Sequence, residues 1–172
     1  MGPILRLLCA SLLLIGSTLI HAASEIAWEE LVPPELRGLQ EQPLPVHDLS
    51  ALGGLGEEDF GDPAVQSEAA APVVPEMHGR RIKLPGYIVP LGITDAMEVD
   101  EFLLVPYFGA CIHVPPPPSN QIVHVRSTSG IKLADLYQPF WITGVVQVEH
   151  VESEMANAGY RIEGAGVEPY LY

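Results

Sequence analysis

Four consecutive prolines, Pro115 to Pro118, are the strongest constraint on what this chain can fold into. Proline has no backbone N–H and fixes φ near about −65°, so neither a helix nor a paired central strand runs through such a segment. The chain must cross it as a stiff, extended spacer. Before it lies the apolar run FLLVPYFGACIHV, and after it SNQIVHV leads into a second apolar run. Phe102 to Val125 therefore reads as two strands joined by a rigid bridge, with Cys111 and His113 just ahead of the bridge.

The rest of the C-terminal half is also strand-like. Arg81–Leu91, Glu101–Tyr107, Gln121–Arg126, Phe140–His150 and Tyr160–Val167 are apolar, β-branched or alternating. In the fourth, Val145, Gln147 and Glu149 share one side, and Val146, Val148 and His150 the other. Leu133–Tyr137 has room for one helical turn, and Glu152–Ala158 for a short helix or loop. Pro85-Gly86 and Gly144 stand where a tightly curved sheet needs a bulge or kink. The expected fold is mainly β, a small five-stranded OB-like barrel with a short helix, with an open β-sandwich as the alternative.

Ahead of the barrel the composition changes. Residues 23–40 have some helical spacing through Trp28, Leu31 and Leu36, interrupted by Pro33-Pro34. Residues 41–76 are rich in Pro, Gly, Ala and acid without periodicity, which predicts a flexible linker or loosely packed arm, with Trp28, Leu49 and Leu52 available to dock it. At the start, Arg6 precedes an apolar run from Leu7 to Ile20, followed by small residues at Ala22 and Ala23. That is the layout of a secretory leader, and the run is shorter than the roughly 20 residues that span a bilayer. The expected organisation is a signal peptide over 1–22, a short helical segment over 23–40, a linker over 41–76 and the β domain over 77–172. The expected location is the periplasm, with no membrane anchor after cleavage near Ala22.

Loss of Arg6 with the leader leaves 7 basic and 22 acidic residues, a net charge of −15. Phosphate backbones are bound by clustered Lys and Arg, so nucleic acid is excluded as the expected partner. Export also makes the cysteine count informative. With Cys9 in the leader, Cys111 is alone in an oxidising compartment where cysteines usually pair.

In an extended strand residues i and i+2 point the same way, so Cys111 and His113 are expected to project together. Thiolate and imidazole suit Zn²⁺ or Cu⁺. A zinc site needs three or four protein donors, and His124 on the returning strand is the nearest further candidate, with His78 and His150 behind it. Two other readings stand beside this one. Cys111 is equally at home as a core residue. It could also be a nucleophile with His113 as base and Asn120 as orienting amide, although adjacent strand positions seldom give that contact. Pro115, Pro116, Pro117, Pro118 and Asn120 offer a different role, as a docking ligand for a partner's aromatic groove.

The run FLLVPYFGACIHVPPPPSNQIV, with LPGYIVPL before it and FWITGVV and GYRIEGAGVEPY after it, resembles a bacterial family of exported proteins known only as a domain of unknown function. The resemblance covers Ile26 to Tyr172, with Trp28-Glu29-Glu30-Leu31 similar to the family's N-terminal motif. It implies an accessory role in zinc handling, because such genes often lie beside MacB/FtsX-like ABC transporter genes and a His-rich periplasmic protein. The implied partners are therefore an ABC transporter or a periplasmic metal-binding protein, the implied cofactor is zinc, and no enzyme activity is expected. Two positions depart from the family pattern, Gly92 where an acid is common and His124 where Tyr is frequent.

Overall fold

A computed structural model of the chain describes residues 22–38, 65–66, 68–111 and 114–170. Its centre is a closed barrel of five strands. These are β2 (Arg81–Pro90), β3 (Glu98–Val105), β4 (Val123–Lys132), β5 (Phe140–Val151) and β6 (Ala158–Pro169). A two-residue strand, β1 (Ser24–Glu25), lies parallel to the start of β2. Around the barrel the order is β2-β3-β4-β6-β5, and β5 pairs back onto β2. The β4–β6 pair is parallel and the other barrel pairs are antiparallel. This is the expected OB-like arrangement. The short helix expected after β4 is a single 3-10 turn at Leu133–Asp135, and no described helix is long and apolar enough to cross a membrane.

Closure depends on Pro85-Gly86. Residues Arg81 to Gly86 pair with β5, and Tyr87 to Pro90 pair with β3, so β2 changes partner at this dipeptide. Gly86 lies so close to β3 that an added Cβ would stand 2.7 Å from the Val105 carbonyl oxygen. Gly144 is crowded in the same way by the Ile162 side chain. At Gly86 the strands approach too closely for a side chain, and at Gly144 the space is taken by Ile162.

Alternation then fills the interior. Ile82, Leu84, Phe102, Leu104, Val123, Val125, Ile142, Val146, Tyr160 and Ile162 are fully buried in one cluster. Each such aliphatic or aromatic side chain contributes about 1.5–3 kcal/mol of transfer free energy. On β5 the expected faces hold, with Val145 exposed and Val146 fully buried.

The segments ahead of the barrel are integrated into it: the short helical segment expected over 23–40 forms 3-10 turns at Trp28–Leu31 and Pro34–Leu36, and part of the loosely packed arm expected over 41–76 is ordered. Ile26, Trp28, Leu31 and Met77 belong to the main core. Trp28 Nε1 donates to the Pro85 carbonyl at 2.7 Å. Residues 68–74 form a strap held by Ala71 N–H on Ser119 Oγ (2.9 Å) and Ser119 N–H on the Glu68 carbonyl (2.9 Å). The buried Tyr160 hydroxyl ties both segments together, accepting from Val74 N–H and donating to the Leu31 carbonyl, each at 2.7 Å. Leu49 and Leu52 lie outside the described residues. The linker expected over 41–76 thus gives way, at its C-terminal end, to ordered chain. The cause is that polar groups of the strap find buried partners that composition does not reveal.

Tyr160→Phe removes one acceptor and one donor from buried main-chain groups. The expected loss is about 1–3 kcal/mol in urea unfolding, with the barrel's β-sheet circular dichroism unchanged.

Candidate functional site

The barrel's outer face over β2, β3 and β4 carries a second apolar cluster. Val89, Leu103, Val105, Tyr107, Ala110, Ile122, Ala156 and Ala158 are buried in it, and Cys111 and Val114 pack against it. The segment following β3 folds back over this face. Val114 N–H bonds to the Gly109 carbonyl and Cys111 N–H to the Val114 carbonyl, at 3.2 and 3.1 Å, closing a short loop. Gly109 and Cys111 both have positive φ, 80° and 66°. Cys111 is therefore at a turn, and not in the strand expected from its apolar neighbours. The i, i+2 argument for Cys111 and His113 lapses with the strand, and His113 itself lies outside the described residues.

Cys111 is half-buried, and burial pushes its thiol up to about 11. A thiol at that value is almost wholly protonated at neutral pH, the opposite of an activated nucleophile. Tyr107 is beside it. Its hydroxyl donates to the Pro115 carbonyl at 3.0 Å, and burial, aided by the nearby Cys111, raises it to about 12.

The proline run is largely built into the domain. Pro115 is exposed and Pro118 half-buried, whereas Pro116 and Pro117 are buried, and Gln66 Nε2 donates to the Pro117 carbonyl at 2.8 Å. Asn120 is fully buried and donates to the Pro72 carbonyl at 2.7 Å. Gln121 Nε2 reaches the Trp28 carbonyl at 2.9 Å. The spacer role of the prolines matches this geometry. A docking ligand would have to use Pro115 and Pro118 alone, and Asn120 faces the protein's own strap.

His124 is on the outer face of β4, opposite Leu103 of β3, and is nearly fully buried. Its Nε2 lies 2.9 Å from Glu101 Oε1, which also accepts from Arg126 at 3.0 Å. Burial alone would raise the Glu101 carboxyl, but hydrogen bonds and charge from Arg126 and His124 overcome it and hold the group below its usual value near 4.5. An ionised Glu101 accepts only, so Nε2 carries the proton. Nδ1 is buried with no hydrogen-bond partner among the described residues. A ring N–H given to a carboxylate is how metal-binding histidines are commonly oriented. Yet no group of three His, Cys, Asp or Glu that could hold an ion occurs among the described residues. His78 accepts the Val148 N–H at Nδ1, and His150 lies 3.9 Å from Glu152. Cys111 has the chemistry of a zinc donor, but the described residues do not build a closed site around it.

Sequence reasoning missed Glu101, Arg126, Ser119, Gln121 and Tyr160. The polar triplet Ser119-Asn120-Gln121 between prolines and an apolar strand was the available signal, since polar residues there have no solvent-facing alternation.

Residues 28–169 match the family described as Protein of unknown function (DUF3299). The chain belongs to the DUF3299 family. It is also similar to the crystal structure of a DUF3299 family protein from Pseudomonas aeruginosa PAO1, with 51% identity and a TM-score of 0.72, covering 88% of this chain and 98% of that one. No curated protein matches the chain. The DUF3299 match spans both the Trp28 segment and the strap, in keeping with their integration into the core.

Two measurements follow from the titrating groups. Iodoacetamide should modify native Cys111 about a hundredfold more slowly than an unperturbed thiol at pH 7–8, with the rate still rising above pH 10. Glu101→Gln should cost a small amount of stability, of the size of a surface ion pair. Because Glu101 is depressed in the folded state, that cost is fully present above about pH 4.5 and fades as pH falls further, as chemical denaturation at pH 3 and 7 would show.

Proposed function

We propose that this protein is an exported, non-enzymatic binding module for zinc, with Cys111 and His113 as donors, acting as an accessory to an ABC transporter or a periplasmic metal-binding protein. The observation that carries the reading is the backbone of Cys111. A non-glycine residue at φ 66° costs about 1–2 kcal/mol relative to glycine, so a turn of this kind ordinarily selects glycine. A cysteine kept in the strained position points to use of its thiol. The protonated state of that thiol weighs against a nucleophile, and a bound cation would have to displace the proton. The family resemblance supplies the zinc and transporter context. With two chain donors, the site serves transient capture and transfer better than permanent storage.

Zinc titration against a chromophoric chelator should show one ion per chain, and Cys111→Ser should weaken binding at least about tenfold. Cys111→Gly suits the left-handed turn and should lose zinc while keeping the fold. Affinity should rise with pH, by about tenfold per unit around neutrality, because the thiol releases its proton on binding. Absence of binding up to about 50 μM zinc, or equal binding by Cys111→Ser, would refute the reading.

A further inference from the structure

The β2–β3 and β4–β5 connections lie side by side at one end of the barrel. Glu98 opens β3 opposite Lys132, the last residue of β4. The Leu133 N–H then donates to the Met97 carbonyl at 3.3 Å and joins the two loops. Five large apolar side chains are exposed among the described residues, and three of them belong to these loops: Ile93 (53%), Met97 (59%) and Tyr137 (71%). Apolar residues exposed singly need no explanation, whereas a group of them rimmed by polar residues marks an interaction site. Met97 also has φ 59°, which a non-glycine residue adopts only at a cost. Within the chain itself, glycine would serve this turn better than an exposed methionine.

We propose that this end of the barrel docks a basic amphipathic helix of a partner protein. Three features specify the occupant. Ile93, Met97 and Tyr137 call for an apolar stripe, and methionine adapts readily to the shape of what it meets. The main chain of the loops is already engaged, with Thr94 N–H on the Glu98 carbonyl, Met97 N–H on the Thr94 carbonyl and Leu133 N–H on the Met97 carbonyl. No strand edge is offered, so the partner must bring a backbone that is satisfied within itself, as a helix does. The rim is acidic. Asp95, Glu98 and Asp135 form no ion pair among the described residues, and the adjoining strand end supplies only Lys132 against them. These carboxylates favour Lys or Arg on the helix and set like charges face to face in a pair of copies, so they select the partner and reject self-association. They also repel an anionic bilayer. The surface involves neither Cys111 nor zinc.

The test uses the isotope-labelled protein at about 150 mM salt, which screens the general negative field of the chain, and two synthetic helical peptides. Both carry Leu at i, i+3, i+4 spacing, and the polar face holds Lys in one and Glu in the other. The Lys peptide should give saturable amide shifts confined to residues 92–98 and 132–138. The Ile93→Ser/Met97→Gly variant keeps the turn, because glycine suits the left-handed position, and should bind at least about tenfold more weakly. Asp95→Asn/Asp135→Asn should weaken binding as well and narrow the preference for Lys over Glu. Equal response to both peptides, undiminished binding in either variant, or absence of saturable shifts at about 1 mM peptide would overturn the proposal. Sedimentation with phosphatidylcholine vesicles, or dimerisation of the free protein, would overturn it too if the Ile93→Ser/Met97→Gly variant abolished either, since the surface would then belong to a bilayer or to a second copy.

Discussion

The Tyr160 hydroxyl is the point on which the arrangement of the chain depends. It sits on β6 inside the barrel, raised to about 12 by burial, and its two hydrogen bonds go to the N-terminal segment and to the strap. A barrel of five short strands has two open ends and a thin core. Trp28, Leu31 and Met77 add buried apolar area to that core. The polar main chain they bring must be satisfied at the same time, and Tyr160, Ser119, Asn120 and Gln121 do so. Hydrophobic closure and polar satisfaction are thus one event.

The outer face shows the same economy with a different result. In OB-like barrels the face of the second and third strands is a common binding surface. Here it is covered by the chain's own turn around Cys111 and Ala110. Glu101 bridges His124 and Arg126, and Arg161 bridges Glu149 and Glu163. Acidic residues on β3, β5 and β6 are thus paired with basic or imidazole side chains of β4 and β6.

Much of the barrel was legible from residue pattern. All five strands, the Pro85-Gly86 corner, the Gly144 kink and the two faces of β5 follow from period-two alternation and backbone sterics. Boundaries slipped where alternation weakens. β4 runs on to Lys132 through Ser127-Thr128-Ser129-Gly130, a polar stretch with no apolar face to read. Cys111 was assigned to a strand because Phe108, Ala110, Ile112 and Val114 look like one. The left-handed turn at Gly109 and Cys111 is fixed by packing of the loop on Leu103 and Ile122, which sequence spacing does not encode. The strap was missed for a related reason, since its anchors are buried polar atoms and its own composition is that of a linker. His124 drew notice as a candidate donor, but its partner Glu101 comes from another strand.

The Tyr160–Leu31 bond joins residues 129 positions apart. Beside it, the barrel closes through a parallel β4–β6 pair and the N-terminal segment rests on β2, both non-local contacts. Loop-closure entropy must be met before such contacts can repay it, so folding of this topology is slow compared with a helical bundle of the same size. The order of events follows as well. The first described residues of the chain take their place only with β6, one of the last strands. A chain growing from its N-terminus therefore remains open until β6 arrives, and then closes at both ends together.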